Sequence, residues 1–479
     1  MADSRLSRRQ FLTHTGRLAL GVAATSLLAG CGSNAGGGAS TPGASPTSPS
    51  GGTSQGGTTT ISMMGWGSPL EKQNVQKGLD MFQQQHPDIK VKWIHVPQDY
   101  FTKLKTALAG GTPPDVFWTG NLADYVSRGV VMDITSYVEQ DPVIGKPDYF
   151  LQPQEKERST INGKWFGIGS CWVIHHLYYN SDILEKAGVE PPSPEPDKAW
   201  TWEEFLENCR KLTVDASGKH PGQPGFDPSK VQQWGVSWPT WSLPRDVLVF
   251  SNGGEAFTPD YKCHLGEPEA MEAIQALADL AVKHQVAPQA AQMQQLGMSS
   301  WQMLASGKLA ILVDGSWALQ DISKMNFKFG CGVLPKMKKV VTEAQAHCHV
   351  ICSRTKHLDA AWQLLRFLSS DDYQLGLCKA GLWLPSHTSL LTEDGLKRWI
   401  TPGVHPEGYD KIATEYLLKY SKNYFYPAGF EQADQILTSA LDPVWIGKMT
   451  VQEAFKKTNA IGQVNQVLQQ AKAKLEAQL

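Results

Sequence analysis

The chain has 479 residues and a formal charge of −2, with 44 basic against 46 acidic side chains. That balance argues against a nucleic-acid-binding face, which is built on excess Lys and Arg. The length exceeds what one hydrophobic core organises and suits two lobes.

The first element in chain order is an export signal. Ser7-Arg8-Arg9-Gln10-Phe11-Leu12 carries paired arginines, an apolar run extends from Leu18 to Ala29, and Leu28-Ala29-Gly30-Cys31 closes it with small residues and a cysteine. These features in this order make residues 1–30 a twin-arginine signal peptide. The apolar run falls short of the roughly 20 residues that span a bilayer as a helix. Leu-Ala-Gly-Cys is similar to the bacterial lipobox, which implies cleavage before Cys31 and lipidation of its thiol. Four basic residues and one acidic residue lie in the signal, so the mature chain is more acidic still. Residues 31–57 carry no charged side chain and are nearly all Gly, Ser, Thr, Pro and Ala. Without apolar side chains to offset the entropy of ordering, they read as a flexible tether with a reach of roughly 30 Å. No later stretch is long and apolar enough to cross a membrane, so attachment rests on the lipid.

From Thr58 to Met64 the pattern predicts a strand, and Gly65-Trp66-Gly67 a loop. Ser68-Pro69-Leu70-Glu71 opens a helix as a capping box with proline in its first turn; Val75, Leu79 and Phe82 follow at helical spacing. Ile89, Val91 and Trp93 alternate as a second strand. Asp99 is placed to cap a second helix, with Phe101, Leu104 and Leu108 on one face and Gly110-Gly111 at its end. Val116-Phe117-Trp118 is a third strand. This is βαβαβ, the opening of a mostly parallel sheet. Ligands of such sheets bind beyond the carboxyl ends of the strands, which places Trp66 and Trp118 on the ligand-facing edge.

Further on, Ile161-Asn162-Gly163-Lys164-Trp165 predicts a hairpin turn, Val173 to Tyr179 a strand, and Ser181 to Ala187 a helix ending at Gly188. Thr201-Trp202-Glu203-Glu204 is another capping box. A polar loop occupies 215–230. Glu267 to His284 and Trp301 to Ser306 read as helices, and Leu309 to Val313, Phe327 to Val333 and Cys348 to Cys352 as strands. Asp359 to Leu368 is an amphipathic helix, and beyond Asp371 the chain is mainly helical.

Two residue types stand out. Of the eight cysteines, Cys31 is the lipidation candidate; the other seven are an odd set expected mostly as small buried apolar residues, with one possible bridge between Cys331 and Cys348. There are 16 tryptophans, and Trp66, Trp118, Trp172, Trp238, Trp241, Trp317 and Trp383 sit beside turn residues. A core Trp normally falls inside a periodic pattern, whereas one between turn residues more often faces a cleft, where a flat indole can stack on the C–H face of a sugar.

The order of segments resembles the family 1 extracellular solute-binding proteins, the sugar receptors of ABC importers. The resemblance is carried by Gly111-Thr112-Pro113-Pro114-Asp115-Val116, Asn162-Gly163-Lys164-Trp165-Phe166-Gly167, Leu177-Tyr178-Tyr179-Asn180-Ser181-Asp182, Thr201-Trp202-Glu203-Glu204-Phe205, Asp314-Gly315-Ser316-Trp317 and Ala360-Ala361-Trp362. It implies an α/β, two-lobed periplasmic-binding-protein-like fold with hinge strands and a ligand cleft between the lobes. One lobe is expected from 58–168 plus 315–370, the other from 169–314 plus 371–479. The cleft residues it implies are Trp66, Gly67, Trp118, Asn121, Trp172, Trp238, Trp241, Trp317 and Trp383. Asp115 is implied as a strand-end structural group. His175-His176 and His347-Cys348-His349 depart from the pattern.

His347, Cys348, His349 and Cys352 invite a metal reading, but alternate strand residues point to opposite faces, so the four do not converge as a tetrahedral site requires. No metal and no cofactor are expected. A glycosidase would need two carboxylates across the cleft, and no catalytic motif is found, so no catalytic residue is assigned and the chain is expected not to be an enzyme. The expectation is an exported, lipid-anchored receptor that closes on a carbohydrate, a di- or oligosaccharide, and delivers it to ABC permease subunits as a monomer, with no nucleic-acid partner. A non-sugar solute such as a polyol or peptide, a surface glycan-active enzyme and a protein-binding surface protein remain the alternatives.

Overall fold

A computed structural model describes residues 57–479. The signal peptide, Cys31 and almost the whole tether lie outside the described residues. The first strand, β1 (Thr59–Gly65), leads into helix α1 (Pro69–Gln85), β2 (Ile89–His95), α2 (Tyr100–Ala109), β3 (Val116–Thr119) and the short α3 (Leu122–Val126). Both β2 and β3 pair in parallel with β1, which sits between them. The α1 capping box forms as its sequence predicts: the Ser68 hydroxyl accepts from the Glu71 amide, and the Glu71 carboxyl accepts from the Ser68 amide. At α2 the expectation fails. Asp99 stands at the N-cap position, but its backbone is left-handed at φ 55° rather than extended, and its side chain makes no capping hydrogen bond.

The first sheet is completed by Ile168–Gly169 and by Cys348–Ile351, which runs antiparallel beside β3. Asp115 ties its strands together: one carboxylate oxygen accepts from the Ser62 amide and hydroxyl at 2.8 Å each, the other from the Thr355 hydroxyl at 2.7 Å. A second five-stranded sheet has the order Phe329–Gly332, His175–Asn180, Leu309–Gly315, Val231–Ser237, Val214–Asp215. Each sheet is the centre of one lobe. Asn162 and Gly163, both at positive φ, turn the short hairpin between Thr160–Ile161 and Lys164–Trp165.

The lobe limits differ from those expected. Phe329–Gly332 belongs to the second sheet, so 315–370 is not one piece of the first lobe; Gly330 and Gly332 let this strand lie against Tyr179 and Pro192, where a Cβ would approach within 2.2 Å and 2.5 Å. In the other direction, helix Asp371–Lys379 packs on the first lobe, its Tyr373 ring covering Gly78 of α1. The segments 388–420 join the core of the second sheet, with Trp399, Tyr409, Ile412 and Tyr416 in one buried cluster with Leu309 and Leu312. Helix Phe430–Trp445 packs on Pro268–Val282 and on the final helix Ala460–Gln478.

All seven cysteines among the described residues are buried and free. The Cys331–Cys348 bridge is thereby corrected: Cys331 sits in the second sheet opposite Tyr178, and Cys348 in the first sheet opposite Thr119 and Gly169. Among the described residues no helix is long and apolar enough to cross a membrane.

Candidate ligand-binding cleft

The chain crosses between the sheets near Trp172, Gln345 and Trp383. Backbone pairs hold these crossings together, Trp172 with Leu384 and Val173 with Gln345. Above them opens a cavity of about 820 Å³, within the range of a small-molecule site.

Its first-lobe wall comes from the segments beyond the carboxyl ends of the three parallel strands: Trp66-Gly67-Ser68 after β1, 97–102 after β2, and Gly120-Asn121 after β3. This is where an open parallel sheet leaves room for a ligand, because the loops diverge there. The opposite wall carries Trp241, Ser242 and Leu243 after Val231–Ser237, with Trp301, Trp317, Gln320 and Asp321 near the end of Leu309–Gly315. Val173, His347 and Trp383 form the floor beside the crossings, and Tyr426, Phe430, Glu431 and Asp434 close one side.

Aromatic rings form two groups. On the first lobe, Trp66 meets Tyr100 edge-on at 4.9 Å and Phe101 at 5.8 Å. Opposite them, Trp241 and Trp317 stand 6.4 Å apart, and His175 lies edge-on behind Trp317 at 5.1 Å. His175 is itself fixed by a buried hydrogen bond between its Nδ1 and the Glu343 carboxyl. The Trp301 indole N–H donates to Asp314 at 2.6 Å, leaving that ring oriented by a buried carboxyl whose pKa burial raises.

Of the nine residues expected in the cleft, six line it: Trp66, Gly67, Asn121, Trp241, Trp317 and Trp383. Asn121 does so with its amide already engaged, donating to the Asp124 carboxylate at 2.9 Å while capping α3. Three lie behind the lining. Trp118 is fully buried beneath Trp66 and His347. Trp172 is buried under the Arg158 guanidinium, 3.9 Å from its ring. Trp238 packs on Trp202 and Phe205 and donates its N–H to the Pro244 carbonyl at 2.8 Å. The sequence reading missed Tyr100, Phe101, Trp301, His347, Tyr426 and Phe430. Phe101, which helical spacing places on a core face with Leu104 and Leu108, is exposed, while Tyr100, Leu104 and Leu108 are buried.

The His/Cys cluster divides as alternation requires. The His347 and His349 rings share a face, 5.1 Å apart, and the Cys348 thiol points away towards Ser159 at 3.6 Å. His175 and His176 part likewise, His176 bonding the Leu177 carbonyl through Nδ1.

Carboxyl groups outnumber basic groups in the lining. Glu71, Asp99, Asp321, Glu431 and Asp434 line it, against Lys105 as the one Lys or Arg of the lining among the described residues, and Lys105 is ion-paired to Glu431. A polar chain joins the walls: the Ser68 hydroxyl donates to Asp321 at 3.3 Å, and the Asn74 amide donates to Gln320 at 3.1 Å. Burial, reinforced by the nearby Asp321, pushes the Glu71 carboxyl up to about 8.

The family model described as bacterial extracellular solute-binding protein matches residues 65–375. A binding protein of Brucella abortus (strain 2308) is 22% identical over 401 residues, covering 79% of this chain and 87% of that one. The sn-glycerol-3-phosphate-binding periplasmic protein UgpB of the same organism is 31% identical over 168 residues, one third of each chain. Among solved structures, the ABC substrate-binding protein Lmo0181 from Listeria monocytogenes, in complex with cycloalternan, superposes with a TM-score of 0.74 at 24% identity, over 86% of this chain and 99% of that one.

Proposed function

The chain belongs to the bacterial extracellular solute-binding proteins, and from that premise we propose that its solute is an uncharged sugar, a di- or oligosaccharide. The observation that carries this reading is the pair of aromatic groups facing each other across the cavity, Trp66 with Tyr100 and Phe101 on one wall and Trp241 with Trp317 on the other. Indole and phenol rings offer broad apolar faces with polar neighbours at their edges, which matches sugar rings that are apolar on C–H faces and polar around the rim. Two such walls give more than one ring a place to stack. Relatives bind both a cyclic oligosaccharide and a glycerol phosphate. Lys105, the one Lys or Arg of the lining among the described residues, is already paired with Glu431, which argues against a phosphate here, since a phosphate needs unshared donors or cations.

In this reading the lobes hinge at the crossings near Trp172, Gln345 and Trp383. Sugar touching both walls favours the closed form by the contacts it gains there, and that form docks on an ABC permease. The anchor is the acylated Cys31 and the receptor works as a monomer outside the cytoplasm.

The test is a titration of the purified protein with neutral mono-, di- and oligosaccharides and a sugar phosphate, read by tryptophan fluorescence. Saturable, non-hydrolytic binding of one neutral class is expected. Binding of the phosphorylated sugar alone would overturn the reading, and slow breakdown of a glycoside would point to an enzyme.

A further inference from the structure

Gln345-Ala346-His347 carries the chain from strand Thr342–Ala344 into Cys348–Ile351, back to the first lobe. Its backbone is pinned on both sides, Gln345 by Val173 and Cys348 by Thr119 and Gly169. His347 therefore has a fixed position on the cleft floor. Its ring lies flat on Trp118, with centroids 4.1 Å apart and planes 15° from parallel. Trp383 meets it edge-on at 5.0 Å and Trp66 at 5.4 Å. The residue is only 6% exposed, yet it lines the cavity.

Three indoles around a flat ring describe a site for a phenyl group as well as for an imidazole. What the imidazole adds is polarity, and Nε2 of His347 has no hydrogen-bond partner among the described residues. A buried polar atom left without a partner is destabilising. Its neighbour on the same face is partly satisfied: His349 Nε2 meets the Ser170 hydroxyl at 2.9 Å, while its Nδ1 has no partner among the described residues. Burial, with His349 and the Arg158 charge close by, holds the His347 pKa well below its usual value. The ring is then neutral, with one nitrogen donating and the other accepting. Whichever tautomer the ring takes, Nε2 can bond a hydroxyl, which both donates and accepts.

We infer that His347 is a specificity-determining side chain of the cleft, hydrogen-bonding a hydroxyl of the solute ring that packs in the corner formed by Trp66 and Trp383. The inference rests on the sugar-receptor reading above and adds to it the polar group that sets the ring's orientation at the hinge.

The experiment titrates the full-length protein and its His347→Phe and His347→Gln variants by calorimetry with the same sugars, alongside melting curves. It is paired with ¹⁵N spectra of histidine-labelled wild type with and without saturating sugar. Phe keeps the stacked ring and removes the unpartnered nitrogen, so an affinity loss of tenfold or more is expected at a sugar-free melting temperature no lower than that of wild type. Gln, which can present an amide near the Nε2 position, should recover part of it. The His347 ring nitrogens should shift on sugar binding. If wild type binds no sugar, the receptor reading falls and this inference with it. Should wild type bind while His347→Phe binds equally well, or the ring signals stay put, His347 is packing alone and the inference falls while the sugar reading stands. A variant that loses both fold and binding leaves the decision to the spectra.

Discussion

Trp241 stands 43% exposed on the cleft rim, whereas Trp118 has no exposed surface at all. The two indoles therefore do different work, and the same substitution separates them. Trp241→Ala removes a partly exposed stacking face whose ring neighbours are Trp317 and His175. It should weaken sugar binding at least tenfold, about 1.4 kcal/mol, with the melting temperature unchanged. Trp118→Ala opens a hole under Trp66, His347 and Trp383 and should cost about 3–5 kcal/mol of stability. Calorimetry and melting curves on the two variants check this, and equal loss of stability in both would refute the division. Composition and neighbouring turn residues identify the loop tryptophans but do not say which way a ring turns. Trp238 turns inward because its N–H reaches the Pro244 carbonyl, and Trp172 because Arg158 lies on it. Neither partner is near in pattern. His347 stands in a His-Cys-His run that invites a metal reading, and its place on the cleft floor depends on chain crossings that no local pattern announces.

At the scale of elements, the start of α1 joins fold and cleft. Gly67 takes φ +124°, and a Cβ there would come within 2.3 Å of the Glu71 side chain, so only glycine lets the loop fold over the capping carboxyl. His95 supports that loop, its Nε2 2.8 Å from the Gly67 carbonyl. The carboxyl of Glu71, lifted by burial from its ordinary 4.5 to about 8, binds a proton in the folded chain that the unfolded chain has released. Stability from this group therefore falls as pH rises between about 4.5 and 8, by roughly 1.4 kcal/mol per pH unit. Glu71→Gln retains an acceptor for the Ser68 amide and cannot ionise. Its melting temperature relative to wild type should rise steadily from pH 5 to pH 8. A difference flat across that range would show that Glu71 is charged in the folded protein. Helix starts like this one were legible because Ser-Pro-x-Glu and Thr-x-x-Glu satisfy backbone donors locally. The Asp99 cap was misread because its outcome depends on a left-handed backbone that no side-chain pattern announces.

For the molecule as a whole, the two α/β lobes were legible and their seams were not. Periodicity finds strands, but which sheet accepts Phe329–Gly332 depends on room beside Tyr179 and Pro192, contacts made far along the chain. The same holds for the link across the cleft. Lys105 belongs to α2 on the first lobe. Glu431 belongs to the helix Phe430–Trp445, which packs on Pro268–Val282 near the second lobe. Their ion pair is partly exposed, so its contribution is about 1 kcal/mol or less and weakens with salt. A difference of that size still changes an open-to-closed ratio about fivefold, enough to set how compact the empty receptor is. Lys105→Ala should thus raise the radius of gyration of the sugar-free protein in low salt. In about 1 M salt the wild type should approach the variant, because screening removes the same attraction. Saturating sugar should bring both to one compact value, since its contacts outweigh the lost pair, at an affinity cost of no more than about fivefold. Small-angle scattering of the two proteins at both salt concentrations, with and without sugar, measures each of these. Identical curves in low salt without sugar would mean that the pair is incidental to closure, and that the crossings near Trp172, Gln345 and Trp383 alone set the angle between the lobes.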